Sequence, residues 1–392
     1  PLHALPVGES YLIDLFPNGV SYAPSCQLLQ LVQTRQRPKF SNFFAIQNPT
    51  GDLHYTDIEV DTIRQYFPHA DVLAKNAANK LAVTKQLLQS AHCIHFSGHG
   101  YFNLNSPLES ALILADANIS QNIDLSKSLT LGEIFNLKLS ECRLVTLSAT
   151  ETALTNFTSV SDEYISFPSA FIVAGSTSVV GSFWSPSDLS TALLMIKFYE
   201  NIHIGNTVIV ALNQAQIWLR DSTVSELTKW IKENLTSLSP TFRLNLRRSL
   251  DLYNADELPF GNPFYWAAFC YIGKLESQMS PYEENILTFR HILKNQPELL
   301  TAEDRSDLQK LLATLPDDIE EISNAIALWY ENHPKILDAM LNVPIEDLDS
   351  LRAADARSTP MTGAESKEII ENSVTESSKS SQQDSSSETK KE

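Results

Sequence analysis

The sequence predicts an α/β domain: a mainly parallel central sheet with helices over both faces, followed by a smaller helical appendage. Three observations predict it. Residues 1–275 alternate short apolar runs with amphipathic stretches. Several of those runs are continuously apolar, as expected for strands covered on both sides. Helical patterns fall between successive strands, the arrangement that joins parallel neighbours.

In order along the chain, the strand candidates are Tyr11–Phe16, Asn42–Ile46, Cys93–Ser97, Leu112–Leu114, Leu144–Ser148, Ser178–Phe183 and Ala267–Ile272. Helix candidates between them include Asp57–Tyr66, Asn79–Ser90, Leu189–Asn201 and Val208–Leu219. The uncharged stretch 164–187 is long enough to span a bilayer, but Pro168, Gly175, Gly181 and many serines interrupt it. A buried helix over about 164–174 and a buried strand over about 177–183 fit it better. Neither a signal peptide nor a membrane span is expected.

After Gly273 the character changes. Ser280-Pro281-Tyr282-Glu283 reads as a helix start, with Ser as cap, Pro in the first turn and Glu closing a capping box. Thr301-Ala302-Glu303-Asp304 is a weaker start of the same kind. Ile319, Ile322, Ile326 and Trp329 share one helical face. These signals predict a helical appendage over 276–345. From 346 onward Ser, Glu, Lys and Gln dominate, and this acidic, Ser-rich tail (346–392) is expected to be disordered.

The 392 residues are 43% apolar, enough for a substantial core. Asp plus Glu number 47 against 29 Lys plus Arg, a formal charge of −18 that disfavours nucleic acid and favours a cationic substrate. Cys26, Cys93, Cys142 and Cys270 form no CxxC pair and no metal-ligand spacing, so neither a metal nor another cofactor is expected. Three of them lie in apolar, strand-like contexts and read as reduced core thiols of a reducing compartment, the cytoplasm. The start at Pro1 points to a fragment with domains missing upstream.

Two strings carry the chemistry. His-Phe-Ser-Gly-His-Gly at 95–100 and Leu-Val-Thr-Leu-Ser-Ala-Thr-Glu-Thr at 144–152 each read as a buried strand running into a loop, the first at His99 and the second at Thr150. In an open parallel sheet, reactive loops gather at the carboxyl ends of adjacent strands. An imidazole there can polarise a nucleophile and protonate a leaving amine. Backbone N–H groups near Gly100 and Thr150 are candidates for an oxyanion hole. The bland alternative makes His99-Gly100 a mere strand-end turn. The second string, roughly 50 residues on, has the spacing of the histidine and cysteine of caspase-type proteases and favours the active reading.

With those strings, the sequence resembles the CHAT domain family, caspase-like peptidase domains related to caspases and separases. The resemblance covers nearly all of 1–275. It continues through Leu-Thr-Leu-Gly-Glu-Ile (129–134), Asp162-Glu163, Ala174 to Val180, Phe183-Trp184 with Asp188, Phe198-Tyr199 and Pro263 to Ala267. It implies a caspase-like three-layer α/β sandwich, with His99 at the catalytic histidine and Thr150 where the family has Leu-Ser-Ala-Cys-Glu-Thr. It further implies polypeptide substrates or regulatory protein partners, and an upstream helical repeat module. Proteins of this kind take part in protease-based signalling, including bacterial defence.

Asp188 matches the segment that lines the primary specificity pocket of separase-like relatives, where a carboxylate would pair with a substrate Arg or Lys. It is equally suited to cap a helix beginning at Leu189. Asp162 and Glu163 read as substrate-site candidates or, more readily, as a solvated or capping pair. Glu151 is a candidate for ordering the loop. His95, on the strand itself, reads as a satisfied core histidine.

Thr150 changes the chemistry expected. A cysteine thiol ionises near physiological pH, and a nearby imidazole suffices to activate it. A threonine hydroxyl is far less acidic and carries a methyl branch that crowds attack. Threonine nucleophiles typically use their own free amine as base, which an internal Thr150 lacks. Neither Cys93 nor Cys142 lies at a crevice-facing strand end to replace it. The expectation is a cysteine-peptidase scaffold, specific for a basic residue, with little or no peptidase activity. Thr150 is either a natural replacement, giving a pseudopeptidase that binds without cutting, or an introduced change that silences a working enzyme. Natural divergence is preferred.

Overall fold

A computed structural model describes residues 1–8, 10–35, 37–87, 91–117, 123–149, 165–274, 280–344 and 361–388. The chain divides into two compact units, Pro1–Leu275 and Glu276–Glu392.

The first unit is built on a seven-stranded sheet. Its strands are β1 (Ser21–Tyr22), β2 (Asn42–Gln47), β3 (His69–Ala74), β4 (Cys93–Ser97), β5 (Leu144–Ser148), β6 (Ser178–Ser182) and β7 (Phe269–Gly273). Their order across the sheet is β1-β7-β6-β5-β4-β2-β3. The strands from β6 to β3 run parallel, and β7 pairs antiparallel with β6. Alternate residues of each central strand enter opposite cores. Phe43, Ala45 and Leu144 face one core, packed by α2 (Thr56–Ile63), α5 (Asp188–His203), α6 (Val208–Asp221), α7 (Val224–Asn234) and α8 (Pro240–Leu250). Phe44, Ile46, Phe96, Val145 and Leu147 face the other, packed by α1 (Cys26–Gln33), α3 (Lys80–Leu87) and α4 (Phe167–Ala174). This is the three-layer, mainly parallel α/β sandwich expected, and burial on both faces is why its central strands carry few charges.

The uncharged stretch does form a buried helix, α4, then the strand β6. Among the described residues, no helix is long and apolar enough to cross a membrane. Two strand expectations are corrected. Of Tyr11–Phe16 only Tyr11 lies in a strand, the two-residue Ser10–Tyr11, and Leu12–Leu15 is a helical turn. Asp14 Oδ2 reaches back to accept from Tyr11 N (2.9 Å), which closes that turn. In place of Leu112–Leu114 the strand is Ala111–Leu112, and it joins Gly100–Tyr101 and Leu129–Thr130 in a separate small sheet.

The second unit contains α9 (Pro281–Asn295), α10 (Ala302–Thr314), α11 (Ile319–Glu331), α12 (Pro334–Leu341) and α13 (Gly363–Glu388). Capping boxes start α9 at Ser280 and α10 at Thr301. The expectation of a disordered tail is corrected for 361–376. Met361, Ile370 and Val374 are buried in the same core as Phe289, Ile322 and Trp329. A short apolar stripe at helical spacing suffices to dock a segment whose average composition is polar.

Candidate active site

The chain leaves three adjacent strands, β2, β4 and β5, at carboxyl ends that lie on one edge of the sheet. The strands β4 and β5 are in register from Cys93 opposite Leu144 to Ser97 opposite Ser148. The pairing continues one step further, with Gly98 N donating to Ser148 O at 3.3 Å. On the other flank Asn48 N donates to Ser97 O at 2.8 Å. A Cβ at Gly98 would lie 3.1 Å from both Phe96 Cζ and Pro49 Cδ, so glycine is what lets the two loops close together.

His99 follows, about three-quarters buried. Its carbonyl accepts from Ile113 N at 2.9 Å, and Gly100 pairs opposite Leu112 in the small sheet. These bonds fix the backbone that carries the imidazole. Its Nε2 lies 3.0 and 3.1 Å from the two carboxylate oxygens of Asp52. Burial acts to raise the Asp52 carboxyl, but hydrogen bonds from Thr50 and His99 and the imidazole charge outweigh it. The net result lies below the ordinary carboxylate value. An ionised carboxylate only accepts, so in the neutral ring Nε2 carries the proton and Nδ1 keeps its lone pair. A ring held in this way can offer a base at Nδ1.

Asp52 is a functional candidate that the sequence reading missed. The available signal was Asn48-Pro49-Thr50-Gly51-Asp52, a turn-forming run directly after an apolar strand, at the edge where crevices form. Its loop is fixed internally. Asn48, at φ +44°, donates from Nδ2 to Leu53 O (2.8 Å) and accepts at Oδ1 from Leu53 N (3.3 Å). Gly51 takes a φ of +76°, a conformation that a side chain would strain.

Asp188 stands at the first turn of α5, but the helix cap is Ser187, whose Oγ accepts from Ser190 N at 3.1 Å. The capping alternative for Asp188 is corrected accordingly, because the helix begins one residue earlier than expected. Asp188 Oδ2 instead accepts from the backbone N–H groups of His54 (2.8 Å) and Tyr55 (3.0 Å), closing the end of the Asp52 loop. Thr150, Glu151, Asp162 and Glu163 lie outside the described residues. The chain leading to position 150 is placed up to Ala149, whose carbonyl accepts from Ser182 Oγ.

His95 is wholly buried, with both ring nitrogens partnered by Glu59 and Tyr199. Cys93, Cys142 and Cys270 are buried free thiols, and burial pushes the Cys93 thiol up to about 12. None is fitted to act as a nucleophile. Among the described residues, no group of three His, Cys, Asp or Glu side chains is arranged to hold a metal.

The model of the CHAT domain family matches residues 1–274. The chain belongs to the CHAT domain family. The match spans all but the last residue of the first unit. Among solved structures, the CHAT domain is similar to Saccharomyces cerevisiae separase in its complex with securin, at TM-score 0.41 and 14% identity over 65% of this chain. It is also similar to the Arg-specific cysteine proteinase gingipain R of Porphyromonas gingivalis, at TM-score 0.38 and 10% identity over 63% of this chain. The chain spans 14% of that separase chain and 50% of that gingipain chain. No curated protein matches the sequence.

Proposed function

We propose that residues 1–274 form a peptidase-type site that captures polypeptide at the carboxyl ends of β2, β4 and β5. In this reading His99 is the acid–base group and Thr150 occupies the nucleophile position. Backbone N–H groups of Gly100 and residue 150 serve as the oxyanion donors. The observation that carries the reading is the Asp52–His99 pair beside the Gly98–Ser148 bond. It puts an oriented imidazole next to the strand that runs into position 150. Because the hydroxyl of Thr150 is a poor nucleophile without a thiolate's acidity, hydrolysis is slow or absent.

Specificity for Arg or Lys before the cut follows from the chain's acidity and from Asp188, with only Oδ2 accepting the two loop amides. Glu151, Asp162 and Glu163 are further candidates for contacts with a basic segment. Three buried free thiols fit a reducing compartment such as the cytoplasm. No cofactor enters the proposed chemistry.

Thr150 itself favours a second reading, in which the same crevice holds a polypeptide or regulates a protein partner without cutting it. A Thr150→Cys variant separates the two when assayed on Arg- and Lys-containing peptides. Cleavage that appears with Thr150→Cys and disappears with an added His99→Ala supports the peptidase site. Tight binding without turnover supports the scaffold, and neither binding nor turnover defeats both.

A further inference from the structure

We infer that Asp52 is a positioning residue for His99, and that Asp188 acts one step behind it by clamping the loop that carries Asp52. The inference rests on the proposed role of His99 as the acid–base group. Both Asp52 oxygens meet one ring nitrogen, at 3.0 and 3.1 Å, so the carboxylate fixes the plane of the ring as well as its proton. Folding stability does not account for this contact. The His99 and Asp52 side chains are 24% and 56% exposed, and an ion pair so open to water contributes little to a fold.

The surrounding loop is nonetheless held at both ends. Asn48 N ties its start to Ser97 O, at the end of the strand that bears His99. Asp188 Oδ2 ties its finish through His54 N and Tyr55 N. Asn48 accepts a left-handed backbone to brace the middle. An eight-residue loop (48–55) fixed in this way presents the Asp52 carboxylate to His99. Asp188 is 134 residues from His54 in sequence, so α5 sets where that carboxylate stands.

Two measurements test this on the full chain. The first needs no nucleophile. With ¹⁵N-labelled histidine, the His99 Nε2–H proton is expected to give a resonance sheltered from solvent exchange. That resonance is lost in Asp52→Ala and in Asp188→Ala, and it returns in Asp52→Glu. An unchanged resonance in Asp52→Ala overturns the inference.

The second measurement uses Thr150→Cys and follows alkylation of the introduced thiol by iodoacetamide, with the exposed Cys26 as internal reference. Its rate is expected to fall about tenfold, with a shifted pH profile, in Asp52→Ala and in Asp188→Ala. The double variant should be no slower than either single one, because both changes break one chain of contacts. Losses that multiply would make Asp188 an independent group and overturn its place behind Asp52. An introduced thiol that reacts no faster than Cys26 and ignores His99→Ala defeats the proposed function. The resonance measurement then still decides the positioning of His99.

Discussion

Glu59 Oε1 stands 2.8 Å from His95 Nε2, with both side chains inside the core beneath the candidate site. The other ring nitrogen meets Tyr199 Oη at 3.2 Å, and that hydroxyl donates to Thr146 Oγ1 at 2.8 Å. One polar cluster therefore joins α2 and α5 to the two strands that lead to His99 and to position 150. Burial holds the Tyr199 phenol well above its ordinary value, so it stays a neutral donor.

Removing one partner of such a pair leaves the other buried without compensation, at a cost of about 3–5 kcal/mol. Glu59→Leu is expected to lower the urea midpoint accordingly. The double variant Glu59→Leu with His95→Leu should recover much of the loss, because no orphaned group remains. Equal losses in the single and double variants would show that packing, and not the pair, is what matters there.

His3 gives the fold an acid-sensitive contact. Burial pushes its imidazole down to about 4, while Nε2 meets Ala267 O at 3.1 Å and Nδ1 meets Tyr22 Oη at 2.9 Å. The unfolded chain takes up this proton near pH 6.5, well before the folded chain does. Between those values the unfolded state binds more protons, so stability falls as pH drops from about 6.5 towards 4. The contribution is about 3 kcal/mol at most. Denaturant titrations at pH 7.5 and 4.5 should differ less in His3→Gln than in the parent, and an unchanged difference would count against it.

How far the sequence could be read depended on how each residue is buried. Cys93–Ser97 and Leu144–Ser148 are covered on both faces, so their apolar runs stand out and their ends can be placed to the residue. His69–Ala74 is an edge strand with an exposed first half, and its polar alternation hides it. His99 was legible because its neighbours form a continuous string. Asp52 was not, because its partner lies 47 residues away and only the sheet brings them together. For Asp188 the residue was visible and its hydrogen bonds were not, since two backbone amides leave no trace in side-chain chemistry. The tail was misjudged on average composition, although Ile370 and Val374 already stand four residues apart.

Ser148 ends the strand that leads to position 150. Its Oγ is buried with no hydrogen-bond partner among the described residues. A hydroxyl in that state carries a desolvation cost without a return. Ser148→Ala is therefore expected to leave thermal stability unchanged or raise it by up to about 1 kcal/mol. A clear drop in the melting temperature would show that the hydroxyl is bonded.

The docking of α13 yields the last expectation. Ile370 is fully buried against the helical core, and Lys367 Nζ lies 2.8 Å from Asp317 Oδ1 on the same stretch. Ile370→Ala removes buried methyl groups and should cost the helical unit about 2–5 kcal/mol. Glu371, the next residue, is exposed, and Glu371→Ala should stay within about 0.5 kcal/mol. Thermal melts followed by far-UV circular dichroism compare the two variants directly. Limited proteolysis adds the location, since a released α13 would be cut between 361 and 376 in Ile370→Ala but protected in the parent. If both variants melt alike and cleavage there is already rapid in the parent, this segment does not dock in solution and its apolar stripe has another partner.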